Sequence, residues 1–407
     1  MKTSLLRSLM LLLALGFVLG ASSCKMTTPN DPTANNLPND PGDPSQDPGS
    51  SVRDDDPSDD PGTPTGLDPR SARLGVIPKT FGSMVIPSSN PMTQAKIELG
   101  RHLFYDKRMS TTKQVSCGSC HEPSKGFADN VSVSPGISGR LGNLNAQSLV
   151  NLGHYEDYGW NGRFKSLEEH APGPIFNTVE LGFGRDPNLA QYYGDPDSDT
   201  IILFRNLGEE PKYPKLFKDA FGTETITIQR IAQAIASFER TFVSNTSPFD
   251  DFNNGNKAAL SLNAIRGYKL FINSTKTNCL SCHNGANFTD NKFHNNGLSV
   301  STKNKGRAEL TGNSADIGKF RTASLRNAGV TWPYMHDGSI SGATPTAALE
   351  EVIRRYRAGG DGRMNQDERI RPLDLTDQDV ADIAAFIKSL TDTKFMSNPA
   401  LQNPWVN

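Results

Sequence analysis

Apolar residues recur at every third or fourth position in two stretches of the chain, and each recurrence predicts a helix with one buried stripe. Ile228, Ile231, Ala232, Ile235, Phe238 and Phe242 form the first stripe; Val380, Ile383, Ala384, Ile387 and Leu390 form the second. Thr376 and Asp379 precede the second with the spacing of a capping box, which marks where that helix starts. Between the stripes the chain is rich in Gly, Asn and Pro, and the alternation expected of half-buried strands is scarce. The pattern predicts a mainly α protein whose helices are joined by long irregular segments.

The N-terminus departs from this pattern twice. Met1 to Ala21 carries Lys2 and Arg7 ahead of an apolar run from Leu9 to Leu19, the layout of a secretory signal and too short to span a bilayer. The following Ala21-Ser22-Ser23-Cys24 resembles a bacterial lipobox, in which Cys24 becomes the lipidated first residue, although Ala21 stands where Leu is usual. The other reading is an ordinary signal peptide that leaves Cys24 a free thiol; the cysteine count favours the lipid, because the other four cysteines have a different use. Residues 1–24 therefore read as a lipoprotein-type signal peptide. The protein is expected to be exported, periplasmic or in the cell envelope, and to meet a membrane only through the lipid at Cys24.

In residues 25–70 Asp-Pro recurs seven times, large apolar side chains nearly vanish, and ten aspartates face only Lys25, Arg53 and Arg70. Such a segment cannot build a core, and charge repulsion with proline stiffness extends it, so it reads as a disordered tether. Calcium binding by these aspartates is the alternative, but nothing fixes them into a cage. The whole chain has a formal net charge of −2. With so much negative charge in the tether, the rest is only weakly positive, too little to argue for nucleic acid, and no nucleic-acid partner is expected.

The chemistry is carried by Cys117-Gly-Ser-Cys120-His121 and its second copy, Cys279-Leu-Ser-Cys282-His283. Two thiols three residues apart can add to the two vinyl groups of one haem, and the histidine that follows can turn back as an axial ligand. A bare pair of such cysteines would serve equally as a redox dithiol or half a zinc site; the histidine directly after each pair selects haem. Two covalent c-type haems are expected, each nucleating one domain: residues 71–250 for the first and 251–407 for the second.

Several further blocks keep a recognisable order. They are Leu99-Gly-Arg-His-Leu-Phe-Tyr-Asp106, Trp160-Asn-Gly-Arg163, Gly173-Pro-Ile175 with Val179-Glu180, Phe293-His-Asn295, Asp316-Ile-Gly-Lys-Phe320, Leu325-Arg-Asn327 and Pro333-Tyr-Met-His-Asp-Gly338. Taken with the two haem motifs, they make residues 71–407 resemble the bacterial di-haem cytochrome c peroxidase family, including its MauG-type members. The resemblance implies two cytochrome c-like haem domains, a peroxidatic one and then an electron-transfer one.

In many relatives a loop histidine blocks the first iron at rest; the matching stretch here, residues 133–144, has none. The resemblance therefore implies an open or water-bound first iron opposite His121, with His154, beyond the loop, as a displaced ligand or a structural histidine. It puts Glu180 at the catalytic glutamate position and His170 where glutamine is usual, as a proton relay or an iron ligand. Trp160 matches the tryptophan between the haems, and Tyr356 matches the second haem's axial ligand opposite His283, with Met364 the alternative. Asn145, Thr331 and Pro333 match the ligands of a calcium ion.

The implied activity is reduction of hydrogen peroxide, with electrons from a small exported cytochrome c or cupredoxin. The alternatives are MauG-like oxidation of a partner protein's side chains, and a di-haem electron carrier without chemistry of its own.

Overall fold

The computed structural model describes residues 81–184, 198–298 and 304–406. The expected signal peptide, Cys24 and the Asp-Pro tether lie outside the described residues. None of the described helices is long and apolar enough to cross a membrane.

Both predicted stripes are helices, and each packs against a partner that starts more than a hundred residues earlier. In the first core α1 (Gln94–Tyr105) is capped by Thr93, whose side chain accepts from the Lys96 amide at 3.2 Å. Further along, α2 (Tyr213–Phe221) packs on α1, and α3 (Ile228–Glu239) carries the first stripe. Ile228, Ile231, Ala232, Ile235 and Phe238 are all buried, and so is Phe242 just past the helix end. The crossing of α1 and α3 is close because Gly100 has no side chain: a Cβ there would lie 2.0 Å from the Ala234 carbonyl oxygen.

The second core repeats this construction. Here α4 (Leu262–Phe271) crosses α6 (Asp377–Lys388), with α5 (Pro345–Ala358) beside α6. At this crossing a Cβ on Gly267 would meet the Asp382 carbonyl oxygen at 1.8 Å. Thr376 and Asp379 form the expected capping box, and Val380, Ile383, Ala384, Ile387 and Leu390 are buried. Few other helices are needed, since a bound macrocycle would complete each core.

Strand is confined, among the described residues, to one antiparallel ladder of two residues a side, β1 (Phe293–His294) with β2 (Phe320–Arg321). The Arg321 amide donates to the Trp160 carbonyl at 2.9 Å, which ties this ladder to the first domain. Buried polar bonds fix the junction further. Asn151 donates to the Asn287 side chain at 3.0 Å, and Asn327 donates to Ser244 Oγ at 3.0 Å.

The division expected at residue 250 falls within a short helix, Pro248–Asn253, whose Phe249 and Phe252 belong to the second core. The end of the chain returns to the first core: Phe395 and Leu401 are buried there, and Trp405 Nε1 donates to the His102 carbonyl at 3.0 Å.

Candidate active site and its two haem cavities

Each cysteine pair sits on one tight turn that delivers both thiols and the histidine to the wall of a cavity. The turn Cys117–Cys120 is opened by a capping box between Ser116 and Ser119, and the His121 amide closes onto the Cys117 carbonyl at 3.0 Å. Gly118 has to be small, because a Cβ would lie 2.3 Å from the Tyr105 ring of α1. His121 Nδ1 lies 2.9 Å from the Phe127 carbonyl oxygen. A carbonyl can only accept, so Nδ1 carries the proton and Nε2 keeps the lone pair that a metal needs. The second copy repeats this: Asn278 takes a left-handed φ of 59° before the turn Cys279–Ser281, and His283 Nδ1 lies 3.2 Å from the Phe288 carbonyl oxygen.

Burial pushes the Cys117 thiol well above its ordinary value and raises Cys279 to about 11. Redox and zinc cysteines need the opposite, a stabilised thiolate. Together with two apolar-walled cavities and two histidines in the metal-binding tautomer, the residues present fit covalent haem at both places.

The first cavity is lined by Cys117, Cys120, His121, His170, Glu180 and Glu239, among others. It is the smaller of the two, about 60 Å³ against about 270 Å³. His170 ends the turn Leu167–His170, which Ser166 caps, and its ring stands between Tyr158 and Phe164 at 6.1 and 5.2 Å. Burial, reinforced by repulsion from His121, Arg321 and Arg163, pushes its imidazole down to about 3, so it is neutral. Its Nδ1 has no hydrogen-bond partner among the described residues.

Glu180 is held by Asn177, which donates from Nδ2 to Oε1 at 2.8 Å while its own Oδ1 accepts from the Val179 and Glu180 amides at 2.8 and 3.3 Å. Glu180 lines the cavity while staying exposed to solvent; the cavity wall desolvates its carboxyl in part and raises it, and the charge on Arg163 opposes that rise. The loop without histidine lies against this turn: the Ile137 amide donates to the Val179 carbonyl at 2.9 Å, and Gly136 lines the cavity. His154 lies elsewhere, stacked on Phe81 at 5.0 Å and absent from the cavity wall.

The second cavity is lined by Cys279, Cys282, His283 and the apolar faces of Leu349, Val352 and Ile383. Tyr356 reaches it from α5, a helix capped by Thr344 and stopped by Gly359 at φ 90°. Its hydroxyl accepts from Asn296 Nδ2 at 3.3 Å, and burial pushes the phenol up to about 12. Met364 does not share this place: it is 72 % exposed and absent from the cavity wall. The methionine that does line the cavity is Met335, whose Sδ lies 3.3 Å from the same Asn296 Nδ2. Sequence spacing gave no reason to single it out.

Trp160 lies at the domain junction and donates from Nε1 to the Asn145 carbonyl at 2.9 Å. Its ring is edge-on to His336 at 6.5 Å, and His336 in turn stacks on Phe320 at 3.5 Å and 13°. Burial holds His336 down at about 4, so it is a neutral aromatic in this group. Asn145, Thr331 and Pro333 all line this side of the second cavity. The Asn145 side chain donates to the Val131 carbonyl at 2.9 Å, which leaves its Oδ1 to accept or to ligate.

The family model for di-haem cytochrome c peroxidase matches residues 94–258, and a cytochrome c model matches residues 264–391. Cytochrome-c peroxidase IdrP1 of Denitromonas iodatirespirans is 34% identical over 359 residues, 80% of this chain and 88% of that protein. Methylamine utilization protein MauG of Methylophilus methylotrophus is 34% identical over 310 residues, 76% of this chain and 86% of that one. A crystal structure of a MauG-like protein associated with microbial copper homeostasis matches with a TM-score of 0.71 and 32% identity, over 81% of this chain and 99% of that one. Two cytochrome c-like domains built around paired thiols and a histidine define a di-haem c-type oxidoreductase, and this chain belongs to the di-haem cytochrome c peroxidase (MauG) family. It is an oxidoreductase of the cytochrome-c peroxidase type with two c-type haems.

Proposed function

We propose that hydrogen peroxide is reduced to water in the first cavity, with two electrons passed one at a time from a small exported donor protein by way of the second domain. The observation that carries this reading is the meeting of Glu180, neutral His170 and His121 in one cavity. A haem held by Cys117, Cys120 and His121 would supply an iron centre for peroxide and would pass on the donor's electrons. Everything else in the step is proton handling and positioning by the chain.

Glu180 takes the proton from the near oxygen of peroxide and returns it to the leaving oxygen, which a carboxylate lining the cavity can do near neutral pH. Asn177 keeps one carboxyl oxygen fixed, so that the other swings between the two peroxide oxygens. His170, neutral and with an open Nδ1, serves as the second member of the relay. Between the domains Trp160 passes single electrons. Its indole N–H faces a carbonyl, which cannot take the proton, so the ring changes charge without losing hydrogen. Asn145 Oδ1 with the carbonyls of Thr331 and Pro333 would hold a calcium ion beside it, an all-oxygen set suited to that ion. Cys24 would carry the lipid, and the tether would hold the enzyme off the membrane on the exported side.

Tyr356 in the second cavity favours one further reading, MauG-like oxidation of a partner protein's side chains, because an anionic phenolate ligand stabilises high oxidation states of iron. The two readings separate in one assay. The haem-loaded protein is mixed with hydrogen peroxide and a pre-reduced small cytochrome c or cupredoxin. The peroxidase reading expects about two donor molecules oxidised per peroxide, the number its electron balance requires. Peroxide consumed without donor oxidation would favour the partner-protein reading, and no consumption would leave an electron carrier.

A further inference from the structure

Glu239, the last residue of α3, lines the first cavity with Cys117. It is 5% exposed, and its Oε2 meets no hydrogen-bond partner among the described residues. A buried carboxyl ordinarily has a cation or a donor beside it. Here each neighbour that could serve is already engaged. Arg240 forks onto Glu168 at 2.7 and 2.9 Å and gives its Nε to the Val85 carbonyl at 3.0 Å.

From α1, Lys96 bonds Asn90 Oδ1 and the Pro91 carbonyl, each at 3.0 Å, and Tyr105 gives its hydroxyl to the Leu401 carbonyl at 2.6 Å. The Tyr158 hydroxyl turns to the Tyr155 carbonyl at 2.8 Å. From the turn Leu167–His170 come Glu168, a like charge, and His170, which is neutral. The other titratable groups of the cavity wall are Cys117, Cys120, His121 and Glu180, and none of them is a cation there. Burial, eased by Arg240 and reinforced by Glu168, pushes the Glu239 carboxyl up to about 8.

An electron added beside such a group changes its charge balance strongly, because the enclosed wall screens little. We propose that Glu239 is the proton acceptor coupled to reduction of the haem attached at Cys117 and Cys120. When that haem takes one electron from the donor chain, iron(III) becomes iron(II) and the Glu239 carboxylate takes one proton from solvent, so the net charge of the cavity is unchanged. Reoxidation releases the proton. Glu239 is a positioning residue for charge and does not touch peroxide in this account. The proposal rests on haem attachment at the first motif and not on which haem meets peroxide, so a protein inert to peroxide would still answer it.

The test is a redox titration of the full haem-loaded chain between pH 6 and 9, with electron paramagnetic resonance resolving the two haems. The first haem's potential should fall as pH rises, because a carboxylate that stays ionised disfavours the added electron, and the second haem's should not move with it. Glu239→Gln, of the same shape but without a titrating proton, should abolish that slope, and Glu239→Asp should retain it. A slope that survives in Glu239→Gln, or a wild-type potential independent of pH, would overturn the proposal. Loss of the slope in Glu180→Gln instead would assign the proton to Glu180 and overturn it equally.

Discussion

Glu180→Gln is expected to slow the reaction of the oxidised protein with hydrogen peroxide by about 10²–10⁴-fold, the usual worth of a positioned acid–base group. Glutamine keeps the shape and can still accept from Asn177 Nδ2, so the turn and the cavity wall should survive. What it loses is the ability to carry a proton from one peroxide oxygen to the other. The pH dependence gives the sign. In the proposed transfer Glu180 starts ionised, and partial desolvation at the cavity wall raises its carboxyl. The wild-type rate should therefore fall on acidification through a value above that of an ordinary glutamate, and the variant should lack this limb. Stopped-flow rates from pH 4 to 8 measure both effects, and both haem potentials should stay where they were.

The other large effect is expected at Tyr356. Tyr356→Met should raise the reduction potential of the second haem by on the order of 0.1 V or more, within the ≈ 0.8 V that axial ligands command. Burial alone keeps the phenol protonated, with its value pushed to about 12, and only a cation at the oxygen would reverse that. A phenolate so formed is anionic and favours iron(III), whereas a thioether is neutral and favours iron(II). The cavity already accepts sulfur beside this position, since Met335 Sδ shares the Asn296 amide with the Tyr356 hydroxyl. The first haem's spin state should not respond. An unchanged potential would show that Tyr356 is not the ligand and would make Met335 the next side chain to replace.

Much of the architecture was legible because it is written locally. Each apolar stripe lies along one helix and the turn that follows it, and Thr376 with Asp379 marks a helix start through bonds made three residues apart. The haem motifs are local too, since one turn delivers both thiols and the histidine. What the chain brings together from afar was not legible. Gly100 and Gly267 look like helix-weakening residues until the crossing helix is seen to occupy the space a Cβ would need. The return of Phe395, Leu401 and Trp405 to the first core has no periodic signal at all.

The site divides in the same way. Glu180 and Trp160 could be named as candidates because they stand inside ordered sequence blocks, and His170 and Tyr356 because they match family positions outside those blocks, Tyr356 on a helix whose start, Thr344, is a strong cap. Glu239 was missed because a glutamate between Phe238 and Phe242, off the apolar stripe, reads as a solvated helix position, whereas it is buried and lines the cavity. Asn177 was missed because its work is done three residues away, on Glu180. Met364 was considered for its nearness in sequence to Tyr356, but the chain leaves α5 at Gly359 and carries it outward, while Met335 arrives from a turn well upstream. His336 and Phe320 stack only because the ladder β1–β2 holds one of them against the domain junction.

The central claim, a first haem whose iron is open to peroxide at rest, is tested most directly on the fully oxidised protein before and after one equivalent of hydrogen peroxide, by electron paramagnetic resonance. The absence of histidine from residues 133–144 predicts a high-spin ferric signal for the haem at His121, lost on mixing without any prior reduction. Two low-spin signals and a ferric protein inert to peroxide would contradict it, and would put the imidazole of His170 on the iron in place of the relay.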